Sequence, residues 1–192
     1  MTASAERFRA VAAGFTATIA AVPADAWQHP SPCPEWAAVD VVRHLVGWIP
    51  GPGFLLGTFG IETVPIPSVD DDPLGAWVAV RDGVQSGLDD PTIASRVEDC
   101  GPIGTLSFAA AVDMTVTSDV FIHTWDLAMA AGVPVDLDET ELAAQLTAVS
   151  AIPPDVDAAM RVSGHFGPRV DVAPDAGPLE RVLAFYGRHA PA

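Results

Sequence analysis

From Thr105 to Ala131 the sequence reads TLSFAAAVDMTVTSDVFIHTWDLAMAA, a stretch made almost wholly of apolar or small residues. A helix of that composition is apolar around most of its circumference, so other elements have to bury it on most sides. Gly132 and Pro134 end it. Such a helix needs neighbours, and the preceding residues supply them.

Phe8, Val11, Ala12, Phe15, Ile19 and Val22 follow the spacing of one apolar helical face, which predicts a first helix over residues 3 to 21, ended before Pro23. WQHPSPCPEW, with its three prolines, is an extended connector. A second helix is expected from Pro34 or Ala37 through AAVDVVRHLVGW, with Val39, Val42, Leu45 and Val46 as its stripe and PGPG at 50 to 53 as its end. Leu55 to Asp72 is rich in Pro, Gly and Thr and reads as a long crossover. A third helix runs from Pro73 to about Leu88, and SRVEDCGPIG connects it to the apolar run.

These elements describe an all-α fold: a four-helix bundle with a long crossover between helices two and three. Facing helices of a bundle are where inward side chains build metal sites. Beyond the bundle, Asp138 and Glu141 have capping-box spacing and open a helix to about Ser150. IPPDVDAAM is a short helical turn, GPRVDVAP a loop or brief strand, and PLERVLAFYGRHAP a terminal helix stopped by Gly187. We expect one domain over 1–192, with a core of about 1–132 and a small C-terminal helical extension over about 133–192.

Charge narrows the partners. The 192 residues carry 25 acids against nine bases, a formal charge of −16, and every base is arginine. An acidic field of that size repels phosphate backbones and excludes nucleic acid or an anionic membrane surface as the partner. Although 49% of the chain is apolar, no uninterrupted apolar run approaches the roughly 18 residues of a bilayer span. The N-terminus MTASAERFRA lacks a signal layout, so the expected compartment is the cytoplasm. Cys33 and Cys100 have no CxxC spacing; both read as reduced thiols, and Cys33, between Pro32 and Pro34, as a packed turn residue. The high apolar content is compatible with a homodimer.

Within the apolar run, SDVFIHTWDLA sets Asp119 and His123 four residues apart, one above the other on the same helical face. If helix two neighbours this helix, His44 faces the pair across the core. Two imidazoles and a carboxylate can hold zinc or another divalent ion with coordination positions left open, as in catalytic sites. A hydrogen-bonded Asp–His pair explains the same spacing. In favour of a cation, Asp119 sits among Ala, Val, Ile and Phe, where an unpaired carboxylate is expensive to bury.

Asp40 is also four residues from His44, but it falls in the first turn of helix two, where an acid reaches back to free N–H groups, so Asp119 is the preferred ligand. Asp126 reads either as an acceptor that orients an imidazole or as a solvated surface acid. His29, His165 and His189 read as loop or terminal histidines. Trp27, Trp36, Trp48, Trp77 and Trp125 are first of all core or interface residues, and Trp48, one turn beyond His44, can also wall a pocket.

Three segments, PSPCPEWAAVDVVRHLVGW, SDVFIHTWDLAMAAG and FGPRVDVAPDAGPLERVLAFYGRHAPA, together resemble the actinobacterial DinB-like proteins related to the N-terminal domain of mycothiol-dependent maleylpyruvate isomerase. The resemblance implies a DinB-like four-helix bundle with a divalent metal, zinc or nickel, between its helices. It maps the family's two histidines onto His44 and His123 and its carboxylate onto Asp119. That acid is a glutamate in the isomerase and often a third histidine in the wider group. Aspartate is one methylene shorter and calls for a closer helix or a bridging water.

Two features depart from the pattern. Ala37 stands where Thr or Ser usually precedes helix two, which removes half of a capping box and lets the start slide back to Pro34. The isomerase also has a C-terminal domain that supplies a catalytic arginine, and no arginine here is matched to it. The expected function is therefore a metal-dependent transferase or isomerase-like enzyme joining a small-molecule thiol such as mycothiol to a small electrophilic substrate. The alternatives are a metal- or ligand-binding bundle without turnover, and a structural bundle in which Asp119 pairs with a histidine or arginine.

Overall fold

The computed structural model of the chain describes residues 2–51, 54–55, 57–162 and 167–190. Two of the positions expected to end helix two, Pro52 and Gly53, lie outside the described residues, as does His165. The chain forms two compact units, Met1–Asp136 and Leu137–Ala192.

The first unit is the helical bundle. Helix α1 (Ala3–Ala21) begins where the Thr2 hydroxyl accepts the Ala5 N–H, and it ends at Val22, in extended conformation ahead of Pro23. Helix α2 covers Ala38–Trp48. It does not slide back to Pro34: Ala37 is the cap residue, and the Asp40 carboxylate accepts the Ala37 N–H at 2.9 Å. Half of a capping box is enough here because the preceding loop is also pinned, by an isolated bridge between Pro30 and Ala37 and by the Ala38 N–H on the His29 carbonyl.

The crossover over residues 57–72 has no regular element. Helix α3 (Pro73–Asp89) starts with Pro73 in the first turn and the Asp72 carboxylate accepting the Gly75 N–H at 2.8 Å. A short helix α4 (Pro91–Ala94) follows.

The connector after it forms an antiparallel hairpin that sequence reading did not anticipate. Strand β1 (Val97–Asp99) pairs with β2 (Thr105–Ser107) in the register Val97 to Ser107, across a turn whose Gly101 and Gly104 take positive φ. The apolar run therefore begins as a strand and becomes helical only at Phe108. Its helical part is α5 (Phe108–Ala111), one π turn at Val112–Val116, and α6 (Thr117–Ala131), capped by Gly132 in the left-handed region.

Helix α1 packs on α3 and α6, and α2 packs on the same two helices, so the four close a ring. Phe8, Phe15, Leu45, Trp77, Leu88 and Leu127 fill it and are fully buried. Burying a side chain of this size contributes about 1.5–3 kcal/mol. The Phe15 and Trp77 rings meet edge to face at 4.9 Å, and the Trp77 indole N–H finds the Thr16 hydroxyl at 2.9 Å. The fold is all-α apart from the hairpin, the class expected from the sequence, and no described helix is long and apolar enough to cross a membrane.

The second unit holds α7 (Glu139–Ser150), α8 (Pro154–Val162) and α9 (Pro178–Phe185). Asp138 caps α7 through the Glu141 N–H, as its spacing indicated. Val149, Val182 and Phe185 form the unit's core. The guanidiniums of Arg161 and Arg169 lie over the Phe185 ring, and both bind Asp157. GPRVDVAP is a loop. Gly187 has a positive φ, and a Cβ there would lie 2.9 Å from the Pro168 carbonyl oxygen, so glycine is required where α9 stops.

Candidate metal centre

The packing of α2 on α6 brings together side chains 75 residues apart in sequence. His44 Nε2 lies 3.1 Å from Oδ2 of Asp119, and His123 Nε2 lies 3.4 Å from Oδ1 of the same carboxylate. The two imidazole rings meet edge to face at 4.9 Å. One donor atom from each of His44, Asp119 and His123 falls within 4.8 Å of the other two. The side chains of His44 and Asp119 keep about a third of their surface, 33% and 27%, while His123 keeps 5%, so the cluster is reached from the His44 and Asp119 side.

The surroundings fix each group. Trp48, one turn along α2 from His44, donates its indole N–H to Asp119 Oδ2 at 2.9 Å. It is therefore a direct partner of the carboxylate. Trp36 stacks on His123 with ring centroids 5.8 Å apart and lies 5.0 Å from the His44 ring. The reading of Asp126 left open by the sequence is decided: it is fully buried, and its Oδ2 lies 2.9 Å from Nδ1 of His123. Cys33 Sγ donates to that same oxygen at 3.3 Å. Asp40 binds the Ala37 N–H and Arg43, as its first-turn position suggested. His29 and His189 are exposed.

Charge in this cluster is coupled. Burial alone disfavours a charged Asp119, but the His123 charge and hydrogen bonds from His123 and His44 outweigh it and hold the carboxyl well below the usual carboxylate range. Burial likewise opposes charge on His123. Asp119, with hydrogen bonds to Asp119, Asp126 and Cys33, overcomes this and raises its pKa well above the ordinary imidazole value.

This donor set fits a divalent cation. A carboxylate at Nδ1 commits His123 to a proton on that nitrogen, which leaves Nε2, facing an oxygen of Asp119, as the nitrogen whose proton a cation can replace. Two acceptors at that distance are held together by a proton or by a cation. One donor atom from each of the three residues lies within 4.8 Å of the other two, close enough for His44, Asp119 and His123 to share one ion. Cys33, His123 and Asp126 form a second group of the same kind, fully buried and sharing His123.

Proline spacing in PSPCPEW marks a loop but not its destination, so Cys33 was legible as a packed turn residue, and Trp36 as a core or interface residue, but neither as a neighbour of the cluster. The loop folds back, with the Ser31 N–H on the Trp36 carbonyl and the Trp36 N–H on the Cys33 carbonyl, and delivers both side chains to α6.

Fold and site together define a helical bundle with a two-histidine, one-aspartate cluster suited to a divalent ion. Residues 8–51 match the family model of the mycothiol maleylpyruvate isomerase N-terminal domain, a segment that covers most of α1 and all of α2, with His44. Two uncharacterised proteins of Mycobacterium tuberculosis, from strains CDC 1551 / Oshkosh and H37Rv, are each 29% identical over 177 residues, covering 91% of this chain and 91% of their own length. No solved structure matches the chain.

Proposed function

We propose that the chain is a DinB-like, divalent-metal-binding protein that acts in the cytoplasm as a mycothiol-dependent transferase or isomerase-like enzyme on a small electrophile. The observation that supports this best is the convergence of two imidazole Nε2 atoms on the two oxygens of one carboxylate. In this reading His44, Asp119 and His123 hold zinc or nickel, and the domain is 1–192, with its metal-binding core over about 1–132.

When bound, the ion supplies an open position that lowers the pKa of a thiol and keeps thiolate available near neutral pH. The protein's own residues do the rest. Asp126 holds the His123 ring in one tautomer. Trp48 fixes Asp119 through the indole N–H. Trp36 covers both imidazoles and keeps water from the His123 side. The thiol and the electrophile approach from the more open His44 and Asp119 side.

Elemental analysis of untagged protein beside His44→Ala and His123→Ala tests the ligand set. The expected result is about one divalent ion per wild-type chain and little in either variant; unchanged metal content in both would place the ion elsewhere. Incubating metal-loaded protein with mycothiol and a panel of electrophiles then tests turnover. Absence of any thiol adduct would remove the enzymatic reading.

A second reading has its own observation. His44, Trp48 and His123 already satisfy Asp119 by hydrogen bonds, which is what a structural cluster in a non-catalytic bundle requires. It is distinguished by a metal-free purified protein whose stability does not respond to added zinc or nickel.

A further inference from the structure

Cys33 lies 93 residues from Asp126 in sequence, yet its Sγ is 3.3 Å from Oδ2, the same oxygen that faces His123 Nδ1 at 2.9 Å. We propose that Cys33 is a positioning residue for the metal centre: its thiol orients the Asp126 carboxylate, which fixes the ring of His123, and the sulfur is not itself a ligand. This rests on the metal-binding reading of His44, Asp119 and His123.

The loop that carries Cys33 is built to hold one geometry. Pro30, Pro32 and Pro34 restrict the backbone on both sides of it. The Ser31 hydroxyl accepts the Cys33 N–H at 3.1 Å, the Trp36 N–H reaches the Cys33 carbonyl at 3.1 Å, and Glu35 takes a left-handed φ of 68° to close the turn. The thiol is thus presented to α6 by a fixed loop rather than by a flexible one. It is 6% exposed and Asp126 is not exposed at all, so the hydrogen bond forms out of competition with water.

Two donors on one carboxylate oxygen set the rotation of the Asp126 side chain, and that rotation decides where the His123 ring points. Partners of this kind are what hold a ligating histidine in the right tautomer. A thiol suits the position because it packs as a small apolar group and still donates a weak hydrogen bond.

Ligation by Cys33 would conflict with the first cluster. An ion held by Cys33, Asp126 and His123 would need the lone pair of Nδ1, and a neutral imidazole has only one lone pair to give. The two groups share His123 and cannot both use it in that form. The Asp119 side keeps open surface, whereas the Cys33 side is closed, so the open side suits exchangeable ligands and the closed side suits support.

The test uses the full chain and zinc. Cys33→Ala and Cys33→Ser are compared for zinc affinity by chelator competition and, without metal, for the 15N and Nδ1–H resonances of His123. Alanine is expected to weaken zinc by about tenfold, the low end of what outer partners of a ligating histidine contribute, and to shift the His123 resonances. Serine, which retains a donor, is expected to restore both. In the Asp126→Asn background, removing the thiol is expected to cost clearly less than in the wild type, because the route through the carboxylate is gone and only the direct contact of the thiol with His123 remains. Cys33→Val, which fills the space without donating, serves if the alanine variant does not fold.

Unchanged affinity and unchanged His123 resonances in Cys33→Ala would overturn the proposal. So would a sulfur-to-metal charge-transfer band in the cobalt(II)-loaded protein that disappears in Cys33→Ser, since that makes Cys33 a ligand. If wild-type protein binds no zinc, the metal reading fails, while the His123 resonances still decide whether Cys33 orients the ring.

Discussion

Asp126 Oδ2 lies 2.9 Å from Nδ1 of His123, so one nitrogen of this ring is committed to a fully buried carboxylate and the other is turned towards Asp119. The division of the ring between an inner and an outer carboxylate is the feature on which the properties of the site depend.

Replacing the inner carboxylate should therefore act on a ligand it never touches through Nε2. Asp126→Asn is expected to lower zinc affinity by about 10- to 100-fold with the chain still folded. Competition against a chelator of known affinity, beside a circular dichroism spectrum, measures both. Unaltered affinity would show that the His123 ring is held by packing alone.

Loading the site should stabilise the fold. With free zinc at about 100 times the dissociation constant, the gain is about 2.7 kcal/mol. Thermal melts of chelator-treated protein with and without zinc are expected to show the rise in wild type and none in His44→Ala or His123→Ala.

The metal-free protein should have a pH window set by Asp119 and His123. The folded pKa of Asp119 is lowered, so its contribution is complete above the unfolded value of about 3.9 and is lost as pH falls further. The folded pKa of His123 is raised, so its contribution is complete below about 6.5 and is lost as pH rises through the folded value. Urea midpoints of chelated protein should be highest between about pH 4 and 6.5 and fall towards alkaline pH. His123→Gln should lack the alkaline decline; a decline of equal size in that variant would assign the dependence to other groups.

Trp77 is fully buried against Phe15 and hydrogen-bonded to Thr16 on the far helices of the bundle. Trp77→Ala is expected to cost about 3–5 kcal/mol while leaving metal stoichiometry at low temperature unchanged. Urea unfolding with elemental analysis separates the two effects.

Glu35 holds a positive φ in the loop that delivers Cys33 and Trp36. Glu35→Gly removes the side-chain cost of that conformation and should leave stability equal or raise it by less than about 1 kcal/mol. A larger loss would mean that the Glu35 side chain itself anchors the turn.

Particular residues show how far the sequence could be read. The stripe from Phe8 to Ile19 defined α1, and the start of α3 at Pro73 was legible too, because both signals are local in sequence. Asp119 and His123 were legible as a pair for the same reason, since helical spacing alone puts them on one face. Cys33, Trp36 and the Trp48 contact to Asp119 were not, because each depends on where a loop or a neighbouring helix ends up in space. The hairpin around Gly101 was hidden by its brevity: strands of three residues carry too little alternation to stand out from a connector.

The π turn at Val112–Val116 adds one residue to the helical path just ahead of the ligand-bearing segment. Upstream of Thr117, Asp113 is moored to α1 by Ser4 and Arg7, and downstream of it Asp119 looks towards α2. A substitution that turned this stretch into regular α-helix with every residue retained would rotate everything after it by about 100° relative to that mooring. His123 and Asp119 would then be carried away from His44 with every side chain of the cluster still encoded. A change in helix phase alone can thus abolish the centre.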